Sequence, residues 1–218
     1  MILRRIIVAM VLLGVASDPV HAQRGQEHAE FWPEIQMRHN IDDATTVGLM
    51  LRLRASTDQR GLYLSEQSVA VSRNFTDWFT GGMGFLHSNS ITAATRWEEE
   101  RLILNQVLRV RLPDTFRVDF RTQEEIRWLL RGVSVRLRER AEVTRPVSVE
   151  GYSFTPYASA EVFWDSRVRT FDRTRLEAGA TFPVGSSFSF RPYLMHEINY
   201  GPIVVTRDVV GLVLTSTF

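Results

Sequence analysis

The chemistry this sequence offers is carried by guanidinium and carboxylate groups. All 26 basic residues are arginine, against 25 acidic ones, and the chain has neither lysine nor cysteine. Many of the charges recur at every second position. One such set holds Arg52, Arg54, Arg101, Arg109, Arg111, Arg117, Arg121, Arg127, Arg136, Arg138, Arg140, Arg173, Arg175 and Arg191, with Glu99, Asp119, Glu125, Glu142, Glu161, Glu177 and Glu197 among them. Guanidinium is always charged and grips a carboxylate with a two-pronged fork. Fourteen arginines and seven acids on one face fit two kinds of chemistry. They would make an ion-pair network that fills and stiffens an interior, or line a narrow passage with a weak preference for anionic solutes. The lack of lysine also has a bland cause, since GC-rich coding favours arginine codons.

Other chemistries find little footing. Without cysteine there are no disulfides, thiolate metal sites or thiol nucleophiles. The histidines beyond the first segment (His28, His39, His87 and His196) are widely spaced and form no two-histidine motif, so neither metal nor cofactor is expected. A formal charge of +1 argues against nucleic acid, which calls for a basic footprint. Gly81-Gly82-Met83-Gly84 lies in an alternating segment and reads as relief of crowding, not as a phosphate loop.

The elements that must carry these residues are strands. In Phe116-Arg117-Val118-Asp119-Phe120-Arg121-Thr122-Gln123 the odd positions are polar or charged, which puts an apolar face opposite a ladder of charge. The same pattern predicts eleven strands, at 31–39, 46–55, 61–73, 78–88, 95–112, 116–129, 133–145, 153–164, 169–183, 187–199 and 206–218. Between them sit turn formers such as Pro113-Asp114-Thr115 and Gly201-Pro202. No helical period competes, and no linker divides residues 23–218, which read as one all-β domain.

Residues 1–22 read as a cleaved secretory signal: Arg4 and Arg5, the apolar run Ile6 to Val15, and the small-x-small ending Val20-His21-Ala22. No later stretch is long and apolar enough for a spanning helix. Alternation alone leaves open which face is inside. Three features favour a membrane barrel with its apolar face outward. The chain ends in Phe218 with Val210, Leu212 and Leu214 on the same face. The strands run 9–18 residues, and aromatic residues gather near their ends, among them Trp78, Trp97, Phe116, Trp128, Trp164, Phe182 and Phe188. Each arginine turned toward lipid at mid-depth would cost about 2–4 kcal/mol, which fixes the charged face inward. The expected fold is a closed antiparallel up-and-down transmembrane β-barrel with an Arg/Glu-lined interior. Such barrels have even strand numbers, so ten or twelve is expected, with Pro33 casting doubt on strand 31–39. Glu139 falls on the lipid side of its strand and suggests a bulge there. The segment 146–152 is long for an inner turn, and strand 61–73 is poorly patterned.

The Phe31-Trp32 opening, Arg173-x-Arg175-x-x-x-Gly179, Tyr193-Leu194-Met195-His196-Glu197 and the charged strand from Arg117 to Glu125 resemble the outer-membrane barrels grouped as domain of unknown function 2490. The resemblance implies a fold and a place, the outer membrane of a Gram-negative cell after Sec-type export, and no catalytic residues. Outer-membrane lipid, lipopolysaccharide, the assembly machinery reading the Phe218 strand, and a small solute are the partners expected. The rival is a lipid-modifying enzyme, because His87-Ser88-Asn89 is similar to the His-x-Ser-Asn strand of lipid A deacylases. Adjacent strand residues point to opposite faces, however, so His87 and Ser88 would not share a proton. His196 and Glu197 meet the same objection, and no catalytic residue is expected.

Overall fold

Residues two apart share a face, and the structure turns that periodicity into a closed wall. The computed structural model describes residues 26–58, 61–91, 97–130 and 132–218. Residues 1–22, expected to be a secretory signal, lie outside the described residues. Twelve strands follow in chain order: β1 (Gln26–Asn40), β2 (Thr45–Ser56), β3 (Gly61–Asn74), β4 (Phe79–Ser90), β5 (Glu98–Arg111), β6 (Arg117–Leu129), β7 (Gly132–Thr144), β8 (Val147–Val149), β9 (Tyr152–Asp165), β10 (Thr170–Val184), β11 (Phe188–Asn199) and β12 (Val205–Thr217). No helix occurs among the described residues.

The circumference has eleven strands, because β8 adds none. It keeps the register of β7 against β9, with Thr144 opposite Tyr157 and Val147 opposite Phe154. The ladder breaks at Arg145-Pro146, where proline has no N–H to donate. Segment 146–152 is thus the tip of one long hairpin. Glu150 and Gly151 close it at positive φ, 50° and 84°, as a two-residue hairpin turn requires.

The expectation of ten or twelve strands is corrected by the seam. Residues 31–39 do belong to the wall, within β1, and β1 pairs with β12 in parallel from Gln26–Val205 to Arg38–Thr217. Every other wall pairing is antiparallel. A parallel closure removes the parity condition that an all-antiparallel ring imposes. Pro33 is accommodated where the β1–β2 ladder skips from Phe31–Ala55 to Glu34–Arg52. At the seam's end the Phe218 N–H donates to the Arg38 carbonyl at 3.0 Å, and the Phe218 carbonyl accepts from the Asn40 N–H at 3.2 Å.

The outer face is the apolar one. Leu49, Val69, Val71, Met83, Phe85, Leu104, Leu108, Val135, Leu176, Leu194 and Val210 all stand exposed. Aromatic residues bound this band. Toward Phe218 lie Trp78 and the stack of Phe154, Phe182 and Phe190, with ring centroids 5.6 and 4.9 Å apart. At the other end stand Trp128, Phe171 and Tyr200. Phe171 and Phe182 are separated by about 36 Å of strand at ~3.3 Å per residue, or roughly 28 Å along the axis at a ~40° tilt. That matches the ~25 Å apolar band of a membrane barrel. Trp97 departs from the belt and lines the interior.

Glu139 does face outward, yet the β6–β7 and β7–β9 registers run without a shift, so the bulge expected there is absent. Its carboxylate instead accepts a hydrogen bond from Thr122 Oγ1 on β6 at 2.9 Å. Register shifts occur at Arg54/Ala55 and Phe171/Arg173. The first explains the blurred alternation of strand 61–73: beyond the shift, Ser65 and Gln67 take outward positions where apolar residues were expected.

Candidate functional site

An eleven-strand ring is wider than the eight-strand ring that ordinary side chains fill. This chain fills the difference with long, charged side chains. The inner wall carries Arg52 and Arg54 of β2, Arg109 and Arg111 of β5, and Arg117, Asp119, Arg121, Glu125 and Arg127 of β6. Arg136 and Arg138 of β7, Glu161 of β9, Arg173, Arg175 and Glu177 of β10, and Arg191 and Glu197 of β11 complete it.

Carboxylates form the centre of this interior. Glu66, Glu99, Glu125, Glu197 and Asp165 are essentially fully buried, and each is met by guanidinium groups. Glu66 holds Arg54 at 2.8 Å, Arg52 at 3.4 Å and Arg101 at 3.7 Å. Glu197 holds Arg175 and Arg207, both at 2.6 Å, and Arg173 at 3.4 Å. Arg127 bonds Glu99 and reaches past β7 to Asp165 at 2.8 Å. Arg138 lies between Glu125 and Glu161, 2.9 Å from each. A buried carboxylate survives only when paired and hydrogen-bonded, and here every strand of the wall but β4 joins the pairing. On β4 the inward positions are small or apolar, including Gly82, Gly84, Leu86 and Ser88.

Aromatic rings extend the network over the inner wall. Trp32 of β1 and Phe163 of β9 are 2% and 1% exposed although they point into a barrel. The Arg175 guanidinium lies between them, 5.4 Å from the Trp32 ring and 4.7 Å from the Phe163 ring. Arg54 also lies over the Trp32 ring at 4.0 Å, and Arg138 approaches Phe163 at 4.8 Å. The sequence of contacts Arg54–Trp32–Arg175–Phe163–Arg138 therefore runs from β2 to β7. Its steps join neighbouring strands (β2–β1, β10–β9 and β9–β7) except for Trp32–Arg175, which spans β1 to β10, three places around the eleven-strand ring. Each stack is worth about 0.5–2 kcal/mol when desolvated. Tyr193 packs beside this brace because β12 offers Gly211: a Cβ there would overlap the tyrosine ring.

Two cavities lie inside the barrel, and all five brace residues line the first. One, of about 450 Å³, lies within the lumen and is lined by guanidinium and carboxylate groups. The other, of about 460 Å³, forms a vestibule at the Phe218 end, bordered by Arg111, Arg117 and Arg191. At the opposite end Asp165 forks Arg167 through Nε and Nη2 at 3.0 and 2.7 Å, and these bonds raise the arginine's pKa above its usual value.

The histidines pair with acids across strands. His87 Nδ1 is 2.6 Å from Glu100 and His196 Nδ1 is 2.7 Å from Asp208, both on the outer face. His87, Glu98 and Glu100 bring one ligand atom each to within 4.8 Å of one another, a grouping formed across β4 and β5 that no linear motif displays. Ser88 points inward and is fully buried, so it does not meet His87. The residue opposite His87 on β3 is Gln67, and Ser65 Oγ donates to Asn89 Oδ1 at 2.6 Å.

Several interior residues were not singled out by sequence reasoning: Glu30, Trp32, Glu34, Glu66, Asp165 and Arg207. A signal existed for β1, where Glu30, Trp32, Glu34, Gln36 and Arg38 alternate with Phe31, Pro33, Ile35 and Met37.

Comparison with known proteins is consistent with this architecture. A family model described as "Protein of unknown function (DUF2490)" matches residues 29–203. A bacterial polysaccharide outer membrane secretin superposes with a TM-score of 0.51 at 11% identity, over 78% of this chain and 63% of that one. The chain thus spans less than two thirds of that protein's length. The β domain of the Bordetella autotransporter Brka gives 0.49 at 11% identity, over 75% and 78% of the two chains. Likeness at this identity to the secretin shows a fold, that of an outer-membrane β-barrel. No curated protein matches the chain.

Proposed function

This chain belongs to the family of proteins of unknown function DUF2490, and we propose that it is an outer-membrane barrel whose lumen is held shut by a guanidinium–carboxylate–aromatic brace. On this reading Phe218 ends the strand that the assembly machinery engages in a Gram-negative cell. The vestibule beside it then opens to the periplasm, and lipopolysaccharide surrounds the Trp128 end. The barrel serves as a rigid membrane scaffold with an anion-favouring interior, and a small solute enters it only as far as the brace.

The observation that carries the proposal is the place of Arg175 between Trp32 and Phe163. An open channel lined with arginine leaves guanidinium groups to water. In this barrel most of them pair with buried carboxylates, and Arg175 also stacks on two buried rings that point inward. Breaking one buried ion pair costs about 3–5 kcal/mol, so thermal opening of several at once is rare.

Liposome swelling tests this reading. Vesicles carrying the wild-type barrel are expected to admit arabinose and small carboxylates no faster than protein-free vesicles. A Trp32→Ala/Arg175→Ala variant that still folds is expected to admit them. Rapid swelling with the wild-type protein would mean an open pore, and the proposal would fall.

A further inference from the structure

We infer that the vestibule at the Phe218 end is a binding site for a small multivalent oxyanion of the phosphate class. Its guanidinium groups outnumber its carboxylates, and one of them has no acidic partner among the described residues. Arg111 and Arg117 are direct cross-strand partners, so two guanidinium groups face each other on the inner wall. Like charges so placed repel unless something neutral or negative comes between them. Arg111 makes no ion pair among the described residues. Arg117 shares the single carboxylate of Asp119, at 3.2 Å, with Arg109 at 3.7 Å. Neither contact is aligned as a hydrogen bond, and the Nε atoms of both arginines are buried without an acceptor. Of these three guanidinium groups two reach an acid, and they share it.

Glu142 of β7 is the direct cross-strand partner of Asp119. Arg191 of β11 reaches it at 2.8 Å and Arg140 bonds the same carboxylate, while both arginines also lie 3.5 Å from Glu177. Between Arg117 of β6 and Arg191 of β11 the wall carries Thr144, Thr155 and Thr181, whose hydroxyls make no hydrogen bond among the described residues. The cavity of about 460 Å³ holds a phosphate with several waters. Arginine forks match the oxygens of phosphate in pairs, and threonine hydroxyls supply the remaining donors. A monovalent halide uses neither feature, which is why the charge and geometry select an oxyanion.

The inference rests on the barrel reading only for the compartment that the vestibule faces. Binding is read in detergent solution, so it stands or fails independently of whether the lumen conducts. The full folded chain in zwitterionic micelles is titrated calorimetrically with inorganic phosphate, at constant ionic strength balanced by chloride. Saturable one-to-one binding is expected, with affinity about tenfold weaker or worse in Arg111→Gln and in Arg117→Gln, the loss of one charge-assisted fork. Arg73→Gln, at the same end but on the outer surface, is expected to bind as wild type. Retained gel mobility of the folded form certifies each variant. No saturable heat, or wild-type affinity in the Arg111 and Arg117 variants, would overturn the site. Binding of phosphatidylglycerol in mixed micelles without any binding of inorganic phosphate would overturn the soluble ligand in favour of a lipid headgroup.

Discussion

Replacing Arg175 with methionine isolates the brace, because methionine keeps much of the side chain's apolar stem and removes only its charged head. Arg175→Met deletes the 2.6 Å bond to Glu197 and the 3.8 Å ion pair to Glu161. It also removes the stacks on Trp32 and Phe163. Glu197 is 1% exposed and keeps Arg173 and Arg207, so it is not stranded. The expected loss is therefore that of one charge-assisted hydrogen bond and its ring contacts, about 2–4 kcal/mol. For a urea dependence of about 2 kcal/mol per molar, the unfolding midpoint falls by roughly 1–2 M. The assay is reversible urea unfolding in lipid vesicles, followed by tryptophan fluorescence and by the gel mobility of the folded form. Arg111→Gln is the control: its guanidinium has no acidic partner among the described residues, and a change within about 0.5 kcal/mol is expected. If Arg175→Met shifts the midpoint no more than Arg111→Gln does, the interior is not a mutually dependent network and the reasoning from buried pairing is wrong.

Three further outcomes follow from single features. Gly211→Val is expected to lose folded yield after refolding, since its side chain overlaps the Tyr193 ring and overpacking costs about 1–3 kcal/mol or more; Ser187→Val, in an exposed turn, is the comparison. Glu139→Leu is expected to raise the urea midpoint in vesicles, because it replaces an outward carboxylate held only by Thr122 with the kind of side chain hydrocarbon wets. Asp42, in the turn between β1 and β2, accepts from the backbone N–H groups of Ala44 and Thr45, which hold its carboxyl below the usual 3.8. A depressed pKa contributes stability that is complete above 3.8 and lost as pH falls through the lowered value, so amide exchange at Ala44 and Thr45 is expected to accelerate only in that acid range.

The wall was legible because its code is local. Each of the eleven segments with period-two alternation became a wall strand, and arginine's cost in lipid decided which side faced inward. The closure was not legible, because the parallel pairing of β1 with β12 joins residues nearly the whole chain apart, and an even-number rule stood in for it. Strand β1 also hid its role: Pro33 interrupts it, so Trp32 read as one of an opening pair of aromatics and not as the middle of the brace. Glu66 was missed for a related reason, since the register shift at Arg54/Ala55 scrambles the alternation just before it. Which guanidinium meets which acid is a property of angles around the ring. The Arg127–Asp165 and Arg191–Glu142 pairs skip strands, and no spacing along the chain encodes that. The excess of arginine was visible from the start, whereas its concentration at the Phe218 end appears only once Arg111 and Arg117 face each other.

Planar-bilayer recording of the wild-type barrel bears most directly on the closed lumen. With the protein inserted and voltage held at moderate values of either sign, the brace predicts a current that stays at the bare-membrane baseline, and stepwise anion-preferring openings only after Trp32 and Arg175 are truncated. Stable, ohmic steps from the unmodified protein would contradict it.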